Sequence, residues 1–206
     1  QRAVQTILSD RQGRYLLHGV TGSGKTEVYL TVIEQMVSEG KTCIMLVPEI
    51  ALTPNMLRQL RARFGDAVAL LHSGLSVGER YDEWLRLKNG EARIAIGARS
   101  AIFAPLDNIG AIIVDEEHDG SYISDFNPRY DTLNVAAFRA NQNGALTVFG
   151  SATPSLSSYY SAVNGELTLI EMPDRINRRP LPTVEIVDMA SETRIGNKGI
   201  FSRLLK

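Results

Sequence analysis

Eight consecutive residues, Gly19-Val20-Thr21-Gly22-Ser23-Gly24-Lys25-Thr26, satisfy every position of a G-x-x-x-x-G-K-[ST] pattern, whose chemistry is that of holding a nucleoside triphosphate. Glycines let backbone N–H groups turn inward around phosphate oxygens, Lys25 brings a cation to the β and γ phosphates, and Thr26 offers a hydroxyl to Mg²⁺. A second set, Asp115-Glu116-Glu117-His118, ends the apolar run Ala111-Ile112-Ile113-Val114. Phosphoryl transfer chiefly needs positioning and charge neutralisation, so Asp115 is expected to hold Mg²⁺ and Glu116 to orient or deprotonate the attacking water, alongside Lys25. A third set, Gly150-Ser151-Ala152-Thr153-Pro154, follows the apolar run Ala145 to Phe149. Its hydroxyls can meet His118 or Glu117 and sense the γ phosphate, so Glu117, His118, Ser151, Ala152 and Thr153 are expected to couple hydrolysis to motion. Taken singly, an acidic strand end reads equally as a solvated turn, and Ser-Ala-Thr recurs by chance; the order of the three sets carries the reading.

The elements that must position these residues alternate along the chain. Short apolar runs predict strands at Arg14 to His18, Thr42 to Val47, Ala67 to Leu71, Arg93 to Ile96, Ala111 to Asp115 and Ala145 to Phe149. Between them, Thr26 to Ser38, Asn55 to Phe64, Glu79 to Lys88 and Thr132 to Asn141 read as helices, several closed by a glycine (Gly40, Gly65, Gly90, Gly144). That rhythm predicts an α/β fold, a doubly wound and mostly parallel sheet with helices on both faces. Ligands of such sheets collect at the carboxyl ends of the strands, where all three sets fall.

With 206 residues and an apolar fraction of 44%, the chain has room for one substantial domain and a tail. Lysine plus arginine number 22 against 23 acidic residues, so any nucleic-acid contact must come from local patches rather than overall charge. The single cysteine, Cys43, lies in an apolar strand and reads as core; neither a disulfide nor an all-cysteine zinc site can form within the chain. There is no signal-peptide pattern and no apolar run long enough for a membrane helix, so a cytoplasmic protein without a membrane partner is expected. The chain opens at Gln1 without methionine and closes where Ile200 to Leu205 reads as a helix beginning, the pattern of an excised fragment. After Met172 it turns rich in proline and arginine, with a further strand-like run at Thr183 to Val187. Residues 1–175 are therefore expected to form the domain, and 176–206 its edge and a linker.

The three sets, in this order and spacing, resemble those of superfamily 2 helicases of the DExH type. Further stretches resemble the PriA family of primosomal replication-restart helicases: Val47-Pro48-Glu49-Ile50-Ala51-Leu52-Thr53-Pro54, His72-Ser73-Gly74-Leu75-Ser76, Gly97-Ala98-Arg99-Ser100-Ala101-Ile102-Phe103-Ala104-Pro105-Leu106, and Asp115 to Asp119 followed by Ser121-Tyr122. The resemblance covers nearly the whole chain. It implies the first RecA-like lobe of an ATP- and Mg²⁺-dependent 3′-to-5′ DNA helicase of bacteria. That helicase acts on forked and single-stranded DNA, with primosome and single-stranded-DNA-binding proteins as partners, and is nucleoid-associated when acting. Zinc would belong only to the part of the parent protein beyond this chain.

The same resemblance implies a DNA path over Thr53, Ser73, Gly74, Arg99 and Ser100. The chemistry suits it, since Arg99 can pair with a phosphate, and the hydroxyls and backbone N–H groups near Gly74 and Gly97 can donate without reading bases. The plainer reading makes these hydroxyls helix caps, above all Thr53 before Pro54. In the segment Tyr122 to Tyr130, the resemblance gives Tyr122, Phe126, Arg129 and Tyr130 contacts to unpaired bases that couple DNA to hydrolysis; the alternative is that Phe126 and Tyr130 pack beneath the loop. Ala98 and Ile123-Ser124 depart from the family's threonine and its basic and amide-bearing pair, removing potential DNA contacts. The family also places an adenine-contacting glutamine just upstream of its first helix, at or beside Gln1, which is left unassigned.

A motor of this type needs a second lobe that supplies an arginine, worth about 10³ to 10⁵ in rate. The isolated chain is therefore expected to bind ATP weakly, to hydrolyse it negligibly and to unwind nothing. Two other readings stand beside this one: a double-stranded DNA translocase or branch-migration motor, and a nucleotide-gated binding module that switches without turnover.

Overall fold

A computed structural model describes residues 1–52, 54–176 and 184–205. Seven strands form one sheet: β1 (Arg14–Gly19), β2 (Thr42–Leu46), β3 (Val68–Leu71), β4 (Ile94–Gly97), β5 (Ile109–Asp115), β6 (Leu146–Ser151) and β7 (Thr168–Met172). They run in the order β3-β4-β2-β5-β6-β1-β7, every neighbouring pair parallel. Six of the seven are those expected from the apolar runs, displaced by at most a few residues. α1 (Arg2–Ser9) leads into β1, and the crossovers that parallel strands need are largely supplied by α2 (Lys25–Ser38), α3 (Pro54–Phe64), α4 (Val77–Lys88), α5 (Thr132–Asn143) and α6 (Leu156–Val163); a short α7 (Met189–Arg194) follows β7.

Two apolar cores lie on opposite faces of the sheet. One packs Val28, Tyr29, Val32, Ile33 and Met36 of α2 and Leu60 of α3 against Cys43, Met45, Ile113 and Val148. The other packs Leu87 of α4, Ala136 and Ala140 of α5 and Ala162 of α6 against Ile44, Leu46, Ile112 and Val114. Burial on both faces is why these strands read as unbroken apolar runs instead of alternating ones. Cys43 belongs to the core as expected, and desolvation pushes its thiol up to about 12.

The helices α1 and α6 were not expected, and the strands and the end of the chain also depart from the sequence reading. β7 was not expected; it is a half-exposed edge strand beside β1, so its apolar pattern is diluted by Thr168 and Glu171. Among the described residues Val184 to Val187 form no strand, and Val184 and Ile186 project into solvent, while Thr183 lies outside them. Near the end only Arg203–Leu205 curl, into a single 3₁₀ turn.

The edge strand β3 is closed by side chains of α4. A Glu83 carboxylate oxygen accepts the Leu70 backbone N–H at 3.0 Å, Arg86 donates to the carbonyls of Val68 (3.3 Å) and Asp66 (2.5 Å), and the two side chains pair with each other at 3.0 Å.

The topology divides the chemistry. The carboxyl ends of β5, β6 and β1, three adjacent strands, carry the acidic set, the Ser-Ala-Thr set and the phosphate loop. The carboxyl ends of β3, β4 and β2, also adjacent, lead to Ser73, Arg99 and Glu49.

Candidate nucleotide site and nucleic-acid cleft

β1 ends at Gly19 and the loop Val20 to Gly24 turns directly into α2. Gly22 and Gly24 stand at φ +81° and +94°, the left-handed region that side chains disfavour. Gly24 occupies the N-cap of α2 with no side chain capping it, so the first N–H groups of the helix keep their capacity for an anion. Lys25 is buried and its Nζ donates to the Gly19 carbonyl at 2.7 Å, which folds the ammonium over the loop. Ser23 Oγ is buried without a partner among the described residues, a group poised for a ligand oxygen. Thr26 is exposed at the start of α2, and Val20 and Thr21 are exposed at the loop's crest. These residues fit a nucleoside triphosphate, with Thr26 and Asp115 able to hold its Mg²⁺.

Asp115, at the end of β5, is largely desolvated, and this burial raises its carboxyl above the usual range. Its Oδ1 accepts the Tyr29 hydroxyl at 3.0 Å and the Glu116 N–H at 3.1 Å. Glu116 itself adopts φ +47°, a strained conformation for a glutamate that turns it out of the strand. Tyr29 was missed in the sequence reading although it lies one helical turn beyond Lys25. Burial and the neighbouring Asp115 charge hold its phenol well above the ordinary range. Gly150 makes room for it, since a Cβ there would overlap the Tyr29 hydroxyl.

The residues expected to couple the two sets do come together. His118 Nδ1 lies 2.8 Å from Ser151 Oγ and 3.6 Å from Glu116 Oε2, and its Nε2 lies 3.4 Å from Thr153 Oγ1. The Thr153 N–H donates to Ser151 Oγ at 2.9 Å, and Ala152 sits half-buried between them. Glu117 turns the other way: nearly fully buried, it accepts the Ser155 N–H (2.7 Å), the Ser155 hydroxyl (3.0 Å) and the Ser158 hydroxyl (2.7 Å). It thereby clamps the start of α6, a role its position among three acids did not announce.

The second half of the sheet bears a cleft of about 340 Å³ lined by Glu49, Ser73, Arg80, Arg99, Ser100 and Ser121, among others. Glu49 Oε1 accepts the Ser73 N–H at 3.1 Å, and the hydrogen bonds from Ser73 hold its carboxyl below the usual range. The Gly74 N–H donates to His72 Nδ1 at 3.2 Å, and Ser100 is exposed. Thr53 lies outside the described residues. Arg99 donates to the carbonyls of Ile123 (2.6 Å) and Ser121 (3.3 Å), and its guanidinium lies 5.8 Å from the Tyr130 ring centroid. Arg139 of α5 fixes the segment behind it through the carbonyls of Ile102 and Ala104.

The aromatic segment splits. Tyr122 is only 1% exposed, its hydroxyl donating to the Asp115 carbonyl at 2.8 Å while its own carbonyl accepts Thr132 Oγ1 at 2.7 Å. This corrects the expectation that Tyr122 contacts bases, because the ring belongs to the core. Tyr130 is half-buried and meets Phe103 edge-on with centroids 5.2 Å apart. Phe126, 80% exposed, and Arg129 project into solvent.

Residues 1–161 match the DEAD/DEAH box helicase family. The chain belongs to this helicase family. Over 198 residues it is 51% identical to the replication restart protein PriA of Bacillus subtilis, a match covering 96% of this chain and 25% of that protein. It is 48% identical over 213 residues to the PriA of Synechocystis, covering 100% and 26% respectively. The chain spans about a quarter of the length of these relatives and fits their helicase lobe. Its backbone matches the structure of RecG bound to a three-way DNA junction with a TM-score of 0.61 at 24% identity, over 94% of this chain and 26% of that one. The helicase lobe is thus an α/β domain of the RecA-like kind. No helix among the described residues is long and apolar enough to cross a membrane.

A cavity of about 670 Å³ beside the phosphate loop is lined by Gln1, Gln5, Ser23, Gly24, Met172 and Ile176, among others. Ile176 donates its N–H to the Gly22 carbonyl at 3.0 Å, and a Cβ on Gly24 would meet its Cδ1 at 2.6 Å. The stretch after β7 therefore touches the phosphate loop.

Proposed function

We propose that this chain is the ATP-binding first lobe of a DNA helicase that moves 3′ to 5′ on forked and single-stranded DNA during replication restart. Primosome and single-stranded-DNA-binding proteins would be its partners, in the bacterial cytoplasm. The observation that carries the reading is the bond from the Tyr122 hydroxyl to the Asp115 carbonyl. It joins the nucleotide half of the sheet to the cleft half, because Arg99 grips the carbonyls on both sides of Tyr122. The names of the relatives, replication restart proteins, support the biological setting.

In this reading the backbone around Gly22 to Lys25 binds the phosphates, Lys25 leaves the Gly19 carbonyl to neutralise them, and Glu116 orients water and takes its proton. Mg²⁺ would add charge neutralisation at the phosphate oxygens, held by Thr26 and Asp115. Gln1, on the cavity beside the loop, is suited to hydrogen-bond an adenine edge. His118, Ser151 and Thr153 pass the state of Glu116 to the loop before α6, and Glu117 holds that loop's far end. In the cleft Arg99, Ser73 and Ser100 would meet phosphates, with Gly74 and Arg129 beside it doing the same and Phe126 meeting a base. Residues 1–175 are taken as the lobe and 176–206 as its edge and linker. Zinc is assigned only to other parts of the parent protein, and the lobe alone is expected to unwind nothing, since a second lobe must supply an arginine.

The test is ATP hydrolysis by the complete parent protein with and without forked DNA, beside Glu116→Gln. Stimulation by DNA that disappears in the variant is expected. Turnover indifferent to DNA would overturn the reading in favour of another phosphate-loop enzyme, and binding without turnover would favour a nucleotide-gated switch.

A further inference from the structure

The cleft does not end at its rim. Arg80, which lines it, stands in the first turns of α4, and the same helix continues away from the cleft with Val77, Tyr81, Trp84 and Lys88 at i, i+4, i+7 and i+11. At about 100° per residue these four fall on one stripe adjoining Arg80. Leu87 turns inward, with 2% of its surface exposed. The stripe faces solvent: Tyr81 is 60% exposed and Trp84 39%. The two rings lie nearly parallel, 8° apart in plane with centroids separated by 6.4 Å, so they present flat faces in one orientation.

Apolar rings left uncovered in this way call for an occupant. The surrounding charges select it. Glu79 lies about 140° round the helix from Trp84 and accepts the Ser76 N–H in a capping box, while Glu83 accepts the Leu70 N–H and pairs with Arg86. Asp82 projects about 160° round the helix from Trp84. On the side of α4 that bears the rings stand Arg80 at one end and Lys88 at the other, cations flanking an aromatic pair. That combination suits a chain of alternating phosphates and flat bases more than an apolar protein surface.

We infer that the Tyr81–Trp84 face of α4 is a base-stacking platform that extends the nucleic-acid cleft, taking unpaired bases of single-stranded DNA while Arg80 and Lys88 meet its backbone. The inference rests on the proposed DNA reading of the cleft but concerns residues outside it. It binds any sequence, since every base has a flat face.

Trp84 is the only tryptophan of the 206 residues, so its emission reports this face alone. The experiment titrates the chain with a fluorescein-labelled oligothymidylate, following label anisotropy and Trp84 emission together, for the natural sequence, Tyr81→Ala, Trp84→Phe and Arg99→Ala. Expected are quenching of Trp84 in step with binding, affinity at least about fivefold weaker in Tyr81→Ala, and near-natural affinity in the conservative Trp84→Phe. Circular dichroism melting checks that Tyr81→Ala remains folded; Tyr81 is mostly solvent-exposed. Binding that depends on Arg99 yet leaves Trp84 emission and the Tyr81→Ala affinity unchanged overturns the platform, spares the cleft, and makes the stripe a face for a protein. Absence of binding at any accessible concentration overturns both.

Discussion

The two halves of one sheet treat their functional residues differently. At the ends of β5, β6 and β1 Lys25 and Glu117 are buried and Asp115 is largely desolvated, each already held: Lys25 by the Gly19 carbonyl, Asp115 by the Tyr29 hydroxyl, Glu117 by Ser155 and Ser158. At the ends of β3, β4 and β2, Glu49 and Ser73 are exposed and Arg99 half-buried, and their bonds run to the backbone of loops: Arg99 to carbonyls, Glu49 to the Ser73 N–H. A site for a small charged ligand gains from a fixed, water-excluding frame. A groove for a polymer that must slide gains from side chains free to exchange partners. Tyr122 belongs to both, buried like the first half and covalently part of the loop that borders the second.

Substitutions can break this contrast. The largest effect is expected for Glu116→Gln, which should lower hydrolysis by the parent protein about 10²- to 10⁴-fold with nucleotide binding retained; equal loss of binding would mean that Glu116 serves the frame and not the water. Next comes Gly150→Ala, whose methyl group must displace the Tyr29 hydroxyl and should cost about 1–3 kcal/mol, read as a lower Tm. Tyr122→Phe removes one buried hydrogen bond, worth about 1 kcal/mol. In the parent protein it should reduce DNA stimulation of hydrolysis without weakening DNA binding, and weakened binding would undo the two-sided role of Tyr122.

Asp115→Asn should act in opposite directions on stability and activity. A carboxylate whose folded pKa is raised costs stability once ionised, fully above its folded value and not at all below its unfolded value. Burial raises that of Asp115, so the variant should melt higher at neutral pH than the natural chain, an advantage that shrinks in acid, while hydrolysis is lost. The smallest change in stability, within about 0.5 kcal/mol, is expected for Phe126→Ala on the exposed side, with DNA stimulation reduced; a large drop in Tm would mean that Phe126 packs in solution.

The same contrast marks what could be read from the residues alone. The phosphate loop, the acidic strand end and the Ser-Ala-Thr turn were legible because their positions follow from backbone geometry: glycines at positive φ, a strand that runs out, a helix that begins. Six strands were legible because burial on both faces leaves an unbroken apolar run. The aromatic segment was not, since Tyr122 and Phe126 differ only in what the fold brings beneath them, and Asp115 lies 7 residues from Tyr122 through a turn no pattern encodes. Tyr29 looked like any core residue of α2. β7 and α6 escaped because one is half-exposed and the other presents Leu156, Tyr160 and Val163 to solvent, which removes the two-sided signature that betrays a surface helix.

The pairing of Glu83 and Arg86 with the backbone of β3 has a consequence for the chain on its own. An open strand edge is a template on which other chains add and aggregate. Here a carboxylate has taken a donor and a guanidinium has taken an acceptor, so an incoming strand would have to evict an ion pair before forming its first rung. Loss of either side chain should first become visible as turbidity at high concentration and only afterwards as a change in melting.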